Sequence, residues 1–206
     1  MDAFTLYGEP TPPLEEELPA FLTGHLLVAE SSMTDPNFSQ TAVFLLNHDK
    51  DGAMGLVINR PSTTVLGDAV EELGETPWRE ELIFVGGPVQ QYFVFVLHTG
   101  LPGGKKSPAA IEATPGVIFE PDFSVVKPAL NREGTINLKA RFLVGYAGWA
   151  PGQLEVELAR KDWIVIPGSP ELVFSDTPFS VWRSALRKKG GIYWIAAETG
   201  FKPSIN

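Results

Sequence analysis

The chain has 206 residues, enough for one domain with a substantial core, and 44% hydrophobic with 20% charged residues is too apolar a mixture for global disorder. It contains no cysteine, which excludes disulfides, thiolate catalysis and cysteine-ligated zinc or iron–sulfur centres. A formal net charge of -9 argues against direct nucleic-acid binding, because holding a duplex requires cations that neutralise phosphates.

Residues 1–22 read as a loose N-terminal arm. Pro10, Pro12 and Pro13 prevent a regular ladder, and "LEEELPAFL" has at most the spacing of a short helix. This acidic start lacks the basic residues and apolar core of a signal peptide. No segment approaches the ~18 apolar residues that span a bilayer. The expectation is a cytoplasmic chain with no membrane partner.

"GHLLVAES" reads as a buried strand, and "MTDPNFS" as a loop, since Asp35 precedes a proline. "QTAVFLLNH" and "GAMGLVINR" are strands joined by a hairpin turn at Asp51-Gly52, the second stopped by Pro61. "TVLGDAVEELG" places Leu66, Ala69, Val70 and Leu73 on one helical face. "LIFVGG" and "YFVFVLHT" are two more strands, joined through Gly86-Gly87-Pro88. Residues 100–116 read as loop with one short extended piece, and "GVIFE" as a strand. Pro128 interrupts any long helix in "DFSVVKPALNREG".

A strand over Ala140–Tyr146 leads into a short helix in "APGQLEVELARKD", with Leu154 and Leu158 facing inward. "WIVIPG" is a further strand. A helix then opens at Thr177-Pro178 and runs through Phe179, Trp182 and Leu186 to Gly190. "IYWIAA" is a last short strand or helix tail, and residues 199–206 form a polar tail. Hairpin strands with three isolated helices indicate an α+β fold with a mixed, largely antiparallel sheet, in one domain over 23–198.

Few motifs carry chemistry. "DKDG" begins like a calcium loop, but Ala53, Met54, Gly55, Leu56 and Val57 follow it, and none offers a side-chain oxygen. His25, His48 and His98 are spread over different strands with no metal-ligand spacing, so neither metal nor cofactor is implied. No nucleophile elbow, Walker loop or dinucleotide fingerprint is present. "GGP" at 86–88 offers backbone N–H groups to an anion, or simply ends a strand. In "GYAGWAPGQLEVEL", Gln153 and Glu157 are four apart and share a helix face. Glu155 and Glu157, two apart, do not.

Taken in order, "HLLVAESSMTDPNFSQTAVFLLNHDKDGAMGLVINRP", "FVGGPV", "FVLHT", "VGYAGWAPGQLEVEL" and "FSVWRSAL" resemble the UPF0301 family, also called YqgE/AlgH-like or DUF179, over about residues 24–195. The resemblance implies an α+β domain whose bifurcated sheet forms a pseudo-barrel with a few flanking helices, in a bacterial cytosolic protein. It supplies no reaction. The arm before Gly24 is longer than usual for the family, and residues 100–135 match it loosely.

The functional expectation is a binding or regulatory module without catalysis of its own, with a protein or small molecule as partner. Candidate binding residues are Asn59, Gly86, Gly87, Tyr146, Trp149 and Gln153. The alternative is a hydrolase-type enzyme with His48 or His98 as base and Glu155 or Asp51 as a second carboxylate, in a cleft between the "NHDKDGAMG" hairpin, "GGP" and the 145–155 turn. A third reading is a transcriptional regulator acting without direct DNA contact.

Overall fold

A computed structural model describes residues 18–70, 73–131 and 137–199. The strands are β1 (His25–Ala29), β2 (Ala42–Asp49), β3 (Gly52–Val57), β4 (Pro61–Val65), β5 (Leu82–Val85), β6 (Val89–His98), β7 (Ile111–Thr114), β8 (Val117–Glu120), β9 (Ala140–Trp149) and β10 (Trp163–Pro167). The helices are α1 (Leu66–Ala69), α2 (Phe123–Leu130), α3 (Gln153–Ala159), α4 (Pro170–Val173), α5 (Val181–Lys189) and α6 (Ile192–Thr199).

One sheet holds all the strands in the order β10-β1-β2-β3-β9-β6-β8-β7, with β4 and β5 on a side branch. Every pairing is antiparallel except β5 with β9. The fork lies in β9. Its residues Phe142, Leu143 and Val144 pair with β5, while Ala147, Gly148 and Trp149 pair with β3. Gly145, with φ +73°, sits between the two sets. The sheet is therefore bifurcated, and it curls until β7 meets the start of β1: a Cβ on Gly24 would lie 2.3 Å from the Ala113 carbonyl oxygen.

Strand alternation divides the apolar residues between two faces. Leu26, Val28, Phe44 and Leu46 point into the curl, where Val181, Trp182, Ala185 and Leu186 of α5 and Ala196 and Ala197 of α6 fill it. Leu27, Ala29, Val43 and Leu45 face outward beneath Leu154 of α3, with Trp149 and Trp163. A third cluster packs Leu66 of α1 and Val126, Ala129 and Leu130 of α2 over Val96 and Phe142.

The expected strands are found, and the differences fall in short or context-dependent pieces. The helix expected through Leu73 ends at Ala69, where Val70 turns extended with φ -123° and ψ 97°. Ahead of it, Pro61 opens the short outer strand β4, a position where a missing N–H breaks no ladder. The four-residue helix α4 is too short to leave a periodic signature. α2 continues through Pro128; the carbonyl that loses its partner belongs to exposed Ser124 and is open to water. "IYWIAA" is helical because docking on α5 buries Ala196 and Ala197, which outweighs the aromatic preference for strands. Leu18–Leu22 is not helical, and Leu22 is already part of the core at 2% exposure. The rest of the arm, and residues 200–206 of the tail, lie outside the described residues.

Candidate functional site

The β2–β3 hairpin turns at Lys50-Asp51. Asp49 caps it by accepting the Asp51 N–H and the Asn47 amide, and these bonds, led by Asn47, hold its carboxyl below the ordinary carboxylate value. Gly52 pairs with Asp49 at φ +129°, and a Cβ there would lie 2.3 Å from the Trp149 carbonyl oxygen. Glycine is needed here for the backbone angle and for the approach of β9.

His48 is the penultimate residue of β2, and its ring is buried. The Leu22 backbone N–H donates to Nδ1 at 3.0 Å, so the proton sits on Nε2, which donates to Glu155 Oε1 at 2.9 Å. The Phe21 ring meets the imidazole edge-on, and the His48 backbone N–H donates to Thr23 Oγ1. Glu155 stands in the first turn of α3 with its side chain half exposed. Its own backbone N–H, and then His48, hold its carboxyl below the ordinary value. Both ring nitrogens of His48 are thus engaged, one by the segment leading into β1 and one by α3. The fold does bring two sequence candidates together, as a clamp.

Glu157 forms a second clamp on the same helix. Its Oε2 accepts the indole N–H groups of Trp149 and Trp163, both at 2.8 Å, and its Oε1 accepts the Gln153 amide at 3.0 Å. Trp149 also stacks on Phe38.

The remaining sequence candidates are dispersed. Asn59 accepts the Ala42 N–H and donates to the Gln40 carbonyl, tying the start of β2 to the end of β3. The Gly86 N–H is spent on the Val144 carbonyl. A Cβ on Gly87 would sit 2.1 Å from the Tyr146 carbonyl carbon, so this turn is a close backbone crossing. Tyr146 packs against the core beside Phe95. His98 is fully buried beneath the α2 side of the sheet. Its Nδ1 accepts the Gly100 N–H, while Nε2 finds no partner among the described residues. Burial holds this imidazole below its ordinary value, with Glu120 opposing.

A cleft of about 380 Å³ opens elsewhere, between the segment before β5, the start of β9 and the loop after α4. Arg141 on β9 lines it, only 6% exposed, with its guanidinium 4.2 Å over the Phe84 ring. It donates to the Ile58 carbonyl and, at 2.8 Å, to the Ser175 carbonyl. Among the described residues no carboxylate lies within ion-pair distance of it; Asp176 and Glu81 act only at longer range. Desolvation accordingly draws its pKa down to about 10. Trp78, Leu82, Leu138 and Phe174 form apolar walls, and Glu80, Glu81, Asp176 and Lys139 stand exposed around it.

None of the candidate site residues named from the sequence lines this cleft. The one signal for it is Arg141 itself, a charge between Ala140 and Phe142 in an otherwise apolar strand. Among the described residues, no helix is long and apolar enough to cross a membrane.

Residues 26–194 match the family model described as AlgH-like. A UPF0301 protein of Streptomyces coelicolor is 35% identical over 191 residues, covering 90% of this chain and 95% of its own. A UPF0301 protein of Chlorobaculum tepidum is 33% identical over 183 residues, with 89% and 95% covered. The solution structure of the AlgH protein from Pseudomonas aeruginosa superposes with a TM-score of 0.65 at 32% identity, covering 91% of this chain and 100% of that one. A crystal structure of a Corynebacterium diphtheriae protein has a TM-score of 0.70 at 22% identity, over 89% and 94% of the two chains, and shares the fold.

Proposed function

This chain belongs to the AlgH-like, or UPF0301, family, and on that premise we propose that it is a small-molecule-binding module whose ligand site is the Arg141 cleft. The observation that carries the reading is a nearly buried guanidinium on a cleft wall with no carboxylate in ion-pair contact among the described residues. Desolvating a charge without a partner is costly, and a ligand that completes the pairing recovers part of that cost. The cleft volume lies in the range that holds small organic ligands, and apolar walls with a few placed polar groups are their usual setting. A non-catalytic role is supported by His48, whose two nitrogens hold Leu22 and Glu155.

The test is a thermal-shift screen of small metabolites, with hits placed by amide chemical-shift mapping. A ligand at about 100 times its Kd adds about 2.7 kcal/mol, which raises Tm by about 5–10 °C in a chain of this size. Hits should perturb Trp78, Ser175 and Arg141, and Arg141→Met should weaken those that carry an anionic group. Hits mapping to the His48–Glu155 region, with turnover of the compound, would instead establish the hydrolase alternative.

A further inference from the structure

We propose that the Arg141 cleft recognises a small zwitterion, a free amino acid with an apolar side chain, taking its carboxylate on Arg141 and its ammonium at the surrounding carboxylates. The inference rests on the cleft being a ligand site and assigns the chemical class from how charge is arranged there.

Arg141 is the buried charge. Two of its N–H donors are spent on the Ile58 and Ser175 carbonyls, out of the five a guanidinium carries. Those two acceptors are neutral, and so is the Phe84 ring beneath the guanidinium, so among the described residues no anion meets the charge at contact distance. A carboxylate is the group whose two oxygens fit the remaining donors of such a fork.

The exposed lining has the opposite sign. Glu80, Glu81 and Asp176 surround the cleft with Lys139 the one exposed cation among its lining residues. A phosphate or dicarboxylate reaching for Arg141 passes three carboxylates and meets repulsion. A simple amine held by those carboxylates has Arg141 facing it. A molecule with an anionic end and a cationic end satisfies both regions at once, and each region rejects the wrong half. Trp78, Leu138 and Phe174 supply apolar surface for the rest of the molecule, and Trp78 is itself fixed edge-on against Phe142 at 5.9 Å.

The experiment is calorimetric titration of the full chain with L-phenylalanine, N-acetyl-L-phenylalanine and L-phenylalaninamide, with amide chemical-shift mapping of each. Expected is binding of the free amino acid, weakened at least tenfold by blocking either the amine or the carboxylate. The double variant Glu81→Gln, Asp176→Asn changes only exposed side chains. It should abolish the discrimination against the N-acetyl compound while leaving the discrimination against the amide. Arg141→Met should do the reverse, and the exposed pair keeps the proposal testable if that variant does not fold. Equal binding of all three compounds, or no binding of L-phenylalanine and L-leucine alike, overturns the zwitterion assignment. If other small molecules still shift Trp78 and Ser175, the cleft remains a ligand site. If nothing does, both readings fall together.

Discussion

Replacing His48 separates a structural clamp from a catalytic base. In His48→Ala the Leu22 N–H loses its acceptor at a position where the surrounding residue is 2% exposed. An orphaned buried donor costs about 1–3 kcal/mol, and the vacated ring volume beneath Phe21 adds to it. The expected loss is about 3 kcal/mol, a fall in Tm of roughly 6–12 °C. Glu155→Ala removes the other half of the pair, but that side chain is half exposed. Solvent screening and the modest value of an acid near a helix start keep its loss under about 1.5 kcal/mol. His48→Asn should recover part of the stability, because its side-chain oxygen can accept the Leu22 N–H without reaching Glu155. Urea denaturation, read as a change of midpoint at constant slope, measures all three. The clamp account is refuted if His48→Ala lies within about 1 kcal/mol of the parent chain, or if Glu155→Ala costs as much.

Three further outcomes follow from the geometry. Glu157→Leu strands the indole N–H groups of Trp149 and Trp163 and should cost about 2–4 kcal/mol in urea, with a change in tryptophan emission; Glu157→Gln should fall between. Gly87→Ala drives a methyl into the Tyr146 backbone and should yield no cooperatively folded protein by circular dichroism. Gly152→Ala, at φ +77° with open space around it, should cost only about 1–2 kcal/mol. His98 is held below its ordinary pKa, so the unfolded chain binds its proton first as pH falls. Stability is full above about 6.5 and declines below it, at no more than about 1.4 kcal/mol per pH unit for this one group. His98→Phe should flatten that part of the pH–stability curve. The depressed carboxyls of Glu155 and Asp49 act with the same sign at lower pH, below the ordinary carboxylate values.

Much of the scaffold was legible because it rests on local rules. The apolar runs "HLLVA" and "AVFLL" mark strands with two buried faces, and Asp51-Gly52 marks the hairpin between the second of these and "GAMGLV". Spacing alone separated Glu155 from Glu157 and joined Gln153 to Glu157, and in the structure Glu155 turns to His48 while Gln153 and Glu157 bond each other. The position of α1 was legible but its length was not, and the four-residue α4 was missed, since four residues carry no period.

"HDKDGAMGLVINRP" carries both lessons. Its turn, and its lack of side-chain oxygens after Gly52, could be read directly from the residues. That His48 clamps a segment 26 positions earlier and a helix 107 positions later could not. The same holds for Arg141, whose cleft draws on residues near 80, 140 and 175. The sequence by itself determined most of the strands, the family and the absence of any cysteine chemistry, because these depend on residue type and near-neighbour spacing. Tertiary structure alone decided which charges are buried, which are paired and where the cleft lies. Those depend on strands distant in the chain being brought together as the sheet forks and curls.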